Sequence, residues 1–220
     1  MKHACRAGLL SLIVLSLAGC NSMTQTSVEN LTLAIRGPAP LLTVDEVNRI
    51  GRSILLVNYQ QSQSTLGSPA PEQAVAEWHG LQQMLVLHNG RLIQSAGLPE
   101  DADMTQTLKA DDPFVTGLLQ VSDGQMVERQ VDFPRRYLTG LRQTATYRRA
   151  GEERLTLMGQ ERQVVRIDER VRMPELGFST TNRYWLDPAS GQVLRSQQTL
   201  LPDTSPLIIT LLQPDSRSQP

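Results

Sequence analysis

The stretch Met84–Ser95, MLVLHNGRLIQS, decides the fold, because two apolar runs meet there at the dipeptide Asn89-Gly90. Asn and Gly both tolerate the positive φ angles of a two-residue turn, so Asn-Gly between apolar runs is a strong hairpin signal. The pattern predicts two antiparallel strands, Met84–Leu87 and Arg91–Ser95, and Gly97-Leu98-Pro99 ends the second one.

Strand and turn signals continue towards the C terminus. Apolar and polar residues alternate over 141–148 and again over 165–173, which is typical of strands with one buried and one solvated face. Gly151 and Gly159 are predicted turns on either side of a strand Arg154–Met158. Turns are also predicted at Pro174–Gly177 and Asp187–Gly191, and further strands at Gln125–Phe133, Ser179–Leu186, Gln192–Leu200 and Leu207–Leu212.

Fewer elements are predicted towards the N terminus. Thr43 with Glu46 three residues later forms a capping-box pattern for a helix Val44–Ile50, which Gly51 ends. Ser53–Tyr59 is predicted to be a buried strand and Gln60–Pro71 a loop. A second short helix is predicted near Met104–Lys109. The fold class is therefore mostly β: an antiparallel meander sheet curved into a half-barrel or sandwich, with one or two short helices.

The first twenty residues predict a cleaved lipoprotein signal. A basic start (Lys2, Arg6) precedes the apolar run Leu9–Leu17, which is too short to span a bilayer as a helix. Leu17-Ala18-Gly19-Cys20 looks like a bacterial lipobox, which implies cleavage before Cys20 and lipidation of Cys20 by fatty acids such as palmitate. Two or more acyl chains give a lasting membrane anchor, whereas one binds only marginally. Asn21 is not the Asp that commonly retains lipoproteins in the inner membrane, so export to the outer membrane is expected.

These signals divide the chain into four predicted segments. Residues 1–19 are the signal peptide, 20–30 the lipidated N terminus and tether, 31–213 a single β-rich domain, and 214–220 a polar tail. Only two cysteines occur, Cys5 in the signal and Cys20 at the lipid site, so no disulfide and no thiol nucleophile are expected in the mature chain.

The sequence offers no catalytic or metal-binding pattern. There is no Gly-x-Ser-x-Gly, no Gly-rich phosphate loop and no His-Glu-x-x-His. We therefore predict no enzymatic activity, no catalytic residues, no metal and no cofactor. The net charge of −1 also gives no field that would attract nucleic acid.

Arginines occupy the polar positions of two predicted strands, and they are the candidate ligand-binding residues of this sequence. If those strands are neighbours, their arginines form a cationic patch able to bind carboxylate or phosphate groups. The alternative is a solvated sheet face with acidic cross-strand partners. The candidate residues are Arg142, Arg148, Arg166, Arg170 and Arg172.

Two stretches resemble a known family. The first is His88–Ile93 (HNGRLI) leading into Ala96–Leu98 (AGL), which is similar to the Asn-Gly-Arg…Gly-Leu stretch of the YjbF/GfcB (YmcC) type lipoproteins. These accompany exopolysaccharide and group 4 capsule operons in Gram-negative bacteria.

The second stretch resembles that family's C-terminal pattern and comprises Asn182–Asp187 (NRYWLD), Gly191, Arg195-Ser196-Gln197, Pro202 and Pro206–Thr210 (PLIIT). The resemblance implies a periplasm-facing outer-membrane lipoprotein with a large antiparallel sheet that curls on itself and a role in polysaccharide assembly or export. It supplies no catalytic residues.

Two functions follow as hypotheses. The first is a non-enzymatic accessory lipoprotein for exopolysaccharide or capsule export, whose partners are the export machinery or an acidic polysaccharide and which meets the membrane through its lipid anchor. The alternative is a lipid or lipoprotein carrier that holds acyl chains in the concave face of the sheet. A carrier predicts an apolar concavity of several hundred Å³, whereas a filled interior would contradict it.

Overall fold

A computed structural model of the protein describes residues 42–99 and 102–214. Within these ranges twelve antiparallel strands form a closed barrel, in which each strand pairs with its neighbours in the sequence and the last strand pairs with the first. The strands are β1 Ile54–Tyr59, β2 Ser62–Gly67, β3 Val75–His79, β4 Met84–His88, β5 Arg91–Ala96, β6 Thr105–Thr107, β7 Met126–Phe133, β8 Leu138–Leu157, β9 Gln160–Met173, β10 Phe178–Leu186, β11 Val193–Gln198 and β12 Leu207–Leu212.

The barrel is closed by the pairing of β1 with β12, which runs without a break from Ile54↔Leu212 to Tyr59↔Leu207. The antiparallel meander and the mostly-β class are confirmed, but the predicted half-barrel or sandwich is wrong. Alternation along a strand defines its buried face and says nothing about which strand lies beside it. The meeting of the first and last strands is therefore absent from the local pattern.

The short helix α1, Val44–Ile50, is present as predicted. Thr43 caps it, with the Glu46 backbone N–H donating to Thr43 Oγ1 at 3.3 Å and the Thr43 N–H donating to Glu46 Oε2 at 2.7 Å. These reciprocal bonds satisfy two N–H groups that a helix start leaves unpaired. Gly51 ends the helix in the left-handed conformation, with φ +66°.

The hairpin β4–β5 confirms the opening prediction. Asn89 and Gly90 have φ of 47° and 87°, as a tight turn between twisted strands requires. Gly90 is needed for a second reason, since a Cβ there would lie 2.4 Å from Val193 Cβ in β11.

Three local predictions are wrong. The predicted loop Gln60–Pro71 contains β2, whose inward residue Leu66 is its only buried one, so the strand lacks an apolar alternation. Near Met104–Lys109 the chain forms β6 instead of a helix, and a helix α2 follows at Pro113–Thr116. Gly151 does not turn the chain but lies at a bulge inside the 20-residue strand β8.

The two ends of the barrel differ in their connections. Because consecutive strands are antiparallel, all connections from an even-numbered strand to the next odd one lie at the same end, which we call the pocket end. The longest of them, residues 108–125 between β6 and β7, carries α2 and a 3₁₀ turn at Leu118–Gln120, and we call it the insert. Phe114 and Leu118 of the insert are buried against Tyr147, Ile167 and Tyr184 of the barrel. No helix among the residues that the structure describes is long and apolar enough to cross a membrane.

Candidate functional site

The barrel interior holds a carboxylate, Glu169 of β9, that is completely buried. Arg91 of β5 donates to both Glu169 oxygens through Nη1, at 2.8 and 2.6 Å. Arg129 of β7 donates to Glu169 Oε1 at 2.6 Å. One carboxylate therefore bridges two buried guanidinium groups from different strands.

Neutral donors complete the surroundings of Glu169. The hydroxyls of Tyr147 and Tyr184 donate to its two oxygens at 3.0 Å each, and Asn182 Nδ2 donates at 3.0 Å. The Tyr147 hydroxyl also accepts from Arg129. Both lone-pair directions of each carboxylate oxygen are thus occupied by protein donors.

A second carboxylate, Asp112, connects this centre to the insert. Arg129 donates to Asp112 through Nε at 2.6 Å and through Nη2 at 3.1 Å, which is a bidentate pair. Asp112 is also the N-cap of α2, since its Oδ1 accepts the Phe114 N–H at 3.0 Å. We call Arg91, Asp112, Arg129 and Glu169 the ionic cluster. It fixes the start of the insert to the barrel wall.

Two glutamines and an aromatic ring complete the environment of Arg91. Its Nε donates to Gln106 Oε1 at 2.7 Å and its Nη2 to Gln143 Oε1 at 2.8 Å. The Phe114 ring lies 5.6 Å from the Arg91 Cζ and 5.8 Å from the Arg129 Cζ, within the range of cation–π attraction.

The ionic cluster carries two positive and two negative charges and is neutral as a whole. Burial by itself would raise the pKa of Glu169, but Arg91 and Arg129 hold that pKa far below its usual range. Burial, together with the adjacent Glu169 charge, raises the pKa of Tyr147 and of Tyr184. Throughout residues 42–99 and 102–214, no buried side-chain nitrogen or oxygen lacks a hydrogen-bond partner. The ionic cluster therefore keeps fixed charges at neutral pH and holds the interior together.

Sequence reasoning missed the ionic cluster, although two of its members left a signal. Arg129 and Glu169 occupy the apolar phase of their strands, with Val131 and Phe133 following Arg129 and Ile167 and Val171 flanking Glu169. A charged residue in the inward phase of a strand indicates an interior ion pair, because an unpaired buried charge costs several kcal/mol or more.

The five arginines singled out from the sequence lie on the outer side of the adjacent strands β8 and β9, and we call this surface the Arg face. Arg148 and Arg166 both bind Asp168, at 2.8 and 2.9 Å, and Arg166 also binds Glu153. Arg142 lies 4.0 Å from Glu175. Arg170 and Arg172 are exposed, and neither has a carboxylate within ion-pair distance among the described residues. Acidic partners thus neutralise both ends of the Arg face and leave Arg170 and Arg172 between them as its cationic part.

The barrel contains a cavity of about 500 Å³ that opens at the pocket end, which we call the end pocket. Its deep wall consists of buried apolar side chains from four strands: Leu55, Trp78, Leu87 and Ile209. Residues Thr116–Gln120 of the insert form another side. The barrel interior is filled around the ionic cluster, but it is not filled throughout. The volume lies within the range of small-molecule sites, roughly 300–1,000 Å³.

The remaining predicted site lies elsewhere. Cys20 is outside the described residues, so its lipidation stays a prediction, as do the signal and tether before residue 42. Among the residues that are described, no three metal-ligating side chains of His, Cys, Asp or Glu come together.

Fold and site together define the class of this protein: a closed up-and-down antiparallel barrel with a neutral ionic core and a pocket at one end. Residues 28–212 match the family described as "Group 4 capsule polysaccharide lipoprotein gfcB, YjbF". The chain belongs to this family, and the resemblance inferred from the hairpin and the C-terminal stretch is confirmed.

Two relatives agree with this assignment. An uncharacterized lipoprotein GfcB of Escherichia coli K12 is 26% identical over 212 residues, which covers 94% of this chain and 97% of the relative. The crystal structure of the hypothetical lipoprotein YmcC from E. coli K12 superimposes with a TM-score of 0.66 at 23% identity, covering 79% of this chain and 89% of the other. At that identity the crystal structure supports the fold alone.

Proposed function

We propose that this protein is a lipid-anchored accessory protein of capsule or exopolysaccharide export, which faces the periplasm from the outer membrane and acts by binding instead of catalysis. The observation that carries the proposal is the match of residues 28–212 to a family of group 4 capsule lipoproteins. The lipobox Leu17–Cys20 supports the anchor, and Asn21 supports the outer membrane.

The ionic cluster supports a non-enzymatic role. Catalytic acids and bases are commonly tuned towards neutral pH and remain accessible to substrate. Glu169 has neither property, because it is fully buried and its pKa is held far below the usual range by Arg91 and Arg129. Both oxygens of Glu169 already accept hydrogen bonds from protein donors.

The anchor can be tested by mass spectrometry and fractionation. The mature N-terminal peptide should carry a diacylglyceryl and an acyl group on Cys20, and the protein should sediment with outer membranes. Cys20→Ser should release the protein from the membrane fraction. An unmodified Cys20 thiol, or a wild-type protein in the inner-membrane fraction, would contradict the proposed localisation.

The Arg face is the surface we propose for an anionic polymer. Arg170 and Arg172 carry exposed guanidinium groups without a carboxylate partner in the described chain, and their neighbours on β8 and β10 are Thr144, Thr146, Ser179 and Thr181. Guanidinium groups bind carboxylates and phosphates through paired hydrogen bonds. A cationic row flanked by hydroxyls suits an acidic polysaccharide.

Retention of the lipoprotein on immobilised alginate tests this surface. Wild type should bind, and binding should fall as the salt concentration rises from about 0.05 M to about 0.5 M, because the Debye length shortens. Arg170→Gln with Arg172→Gln should elute at lower salt. The matched control removes two exposed arginines away from the Arg face, Arg49→Gln with Arg52→Gln. If both double variants elute at the same salt concentration, the Arg face is not the binding surface.

The end pocket favours the second candidate function, the carriage of an acyl chain. Its deep wall is apolar, and its volume of about 500 Å³ meets the expectation of a concavity of several hundred Å³. The two candidates use different surfaces and can be tested independently.

A further inference from the structure

The end pocket is apolar at its deep wall and polar at its opening. At depth the side chains of Leu55, Trp78, Leu87 and Ile209 are each at most 6% exposed, and no charged group lies among them. The buried polar group of the deep wall is Ser196, whose hydroxyl already accepts from Gln198 Nε2 at 2.9 Å. A sugar hydroxyl placed at this depth would lose its hydrogen bonds to water without a replacement, which costs roughly 1–3 kcal/mol or more. An alkyl chain has no such cost.

The opening is polar and almost free of charge. Three glutamines, Gln73, Gln120 and Gln192, come from three different connections at the pocket end: the β2–β3 loop, the insert and the β10–β11 turn. Each primary amide has two N–H donors and an acceptor oxygen, so it can pair with hydroxyl groups in either direction. The Gln192 oxygen also accepts from Gln213 Nε2 at 3.1 Å, which leaves it one lone pair and both of its donors. Three amides around one opening therefore suit a head group rich in hydroxyls.

The opening also discriminates by charge. Among the described residues that line the end pocket there is no Arg or Lys, and Glu72 is the one charged side chain. An anionic head would thus find no cation to replace its hydration and would face a carboxylate. A free fatty acid or a phosphate-headed lipid is disfavoured, whereas an uncharged head is not.

We propose that the end pocket binds a single-chain amphiphile whose alkyl tail lies against the apolar deep wall and whose uncharged, hydroxyl-bearing head lies among the three glutamines. The ligand class is that of an alkyl glycoside or a neutral-headed glycolipid. This inference rests on the second candidate function and specifies its ligand, and it is independent of the Arg face.

The ionic cluster positions one side of this pocket. The insert contributes Thr116–Gln120 to the wall, and its start is held by the bidentate pair between Arg129 and Asp112. The same insert buries Phe114 against both guanidinium groups. The interior charges and the binding cavity are therefore parts of one arrangement.

Photolabelling of the full lipoprotein in phosphatidylethanolamine–phosphatidylglycerol vesicles tests the proposal. The probe is dodecyl maltoside with a diazirine in its alkyl chain, and the comparison probe is laurate with the same diazirine. The maltoside should label peptides that contain Trp78, Leu87 or Ile209 about tenfold more than laurate does, a ratio that corresponds to the loss of one head-group interaction. Unlabelled dodecyl maltoside should compete, whereas maltose without a tail should not.

Two variants close the pocket at different depths. Ala76→Phe fills the deep wall and Ala74→Trp blocks the exposed opening, so the second one leaves the core unchanged. Both should abolish labelling, while the matched control Ala110→Trp, an exposed alanine outside the pocket, should retain it. Circular dichroism should show that all three fold.

Several outcomes would overturn the proposal. Equal labelling by both probes would show that the pocket does not prefer an uncharged head group, and only the binding of the acyl chain would remain. Competition by maltose would point to a sugar site without a tail requirement. Labelling that persists in Ala74→Trp and Ala76→Phe, or no labelling at all, would exclude the pocket as a lipid site. Binding of Ala76→Phe to alginate is measured in parallel, so failure here is distinguishable from failure of the polymer-binding proposal.

Discussion

Glu169 shows how a residue that is costly to bury can become indispensable. Moving a carboxylate out of water costs several kcal/mol, and the pairing with Arg91 and Arg129 offsets this cost only while both partners are present. Tyr147, Tyr184 and Asn182 supply the remaining hydrogen bonds. The ionic cluster is neutral only while all four charges are present. Removing one charge should therefore destabilise the protein more than replacing all four residues by apolar ones.

Replacing Glu169 by Gln should therefore destabilise the protein by about 3–5 kcal/mol, because Arg91 would lose its carboxylate partner and Arg129 would keep only Asp112. The free energy of unfolding in urea measures this effect. The matched control is Glu161→Gln on the same strand, whose carboxylate and partner Arg154 are both exposed to solvent. That change should cost about 1 kcal/mol or less. Equal losses in the two variants would contradict a special role for the interior charge.

The same carboxylate should make stability depend on acid pH. The pKa of Glu169 is lower in the folded protein than in the unfolded chain, where it is about 4.3. The contribution of Glu169 to the free energy of unfolding is thus complete at pH values well above about 4.3. It is lost as the pH falls below about 4.3, because the unfolded state then binds the proton more readily than the folded state. The stability difference between wild type and Glu169→Gln should be constant near pH 7 and shrink between about pH 4.5 and pH 3. A difference that stays constant over this interval would show that folding does not lower the pKa of Glu169.

At the scale of the element, turns rather than strands restrict the residue type most sharply. Gly97 after β5 and Gly159 at the β8–β9 turn both have φ +76°, so the backbone penalty for a side chain is alike. They differ in their surroundings: a Cβ on residue 97 would lie 1.9 Å from the Gln82 carbonyl oxygen, whereas nothing lies within 4 Å of a Cβ on residue 159. The β3–β4 turn thus packs directly on Gly97.

This pair gives a controlled comparison. Gly159→Ala should cost about 1–2 kcal/mol, the penalty for a side chain in the left-handed region. Gly97→Ala should cost about 1–3 kcal/mol more, because the Gln82 carbonyl must move away. Thermal unfolding of the two variants side by side measures the difference. Similar melting temperatures would mean that the β3–β4 turn shifts freely and that the close contact stabilises nothing.

The elements that the sequence predicted well are those with a strong local signal. The capping box of α1, the Asn-Gly hairpin and β12 were placed within one or two residues. The failures at β2 and β6 share one physical cause: each strand buries a single residue, Leu66 or Gln106, so the alternation that identifies a strand is missing. Gly151 was assigned to a turn because a glycine at a bulge and a glycine in a turn look alike in the sequence.

At the scale of the whole molecule, the site depended on contacts that no local pattern contains. Arg91, Asp112, Arg129 and Glu169 come from β5, the insert, β7 and β9, and only the closed barrel brings them together. The Arg face was easier to identify because its residues lie on two consecutive strands. The end pocket needs the first and last strands side by side, so it could not be inferred before barrel closure was known.

The closure of the barrel by the pairing of β1 with β12 can be tested by truncation. A closed barrel has no unpaired strand edge, whereas removal of β12 would expose the backbone of β1 and β11 and delete the inward side chains Leu207 and Ile209 from the core. A chain ending at Ser205 should therefore lose its cooperative thermal transition and aggregate, as light scattering during heating would show. The matched control ends at Gln213, which keeps β12 and removes only the predicted polar tail 214–220, and it should melt like wild type. If the chain without β12 unfolds cooperatively at the wild-type temperature, the β1–β12 seam does not stabilise the fold, and the barrel would have to be described as an open sheet whose ends merely touch.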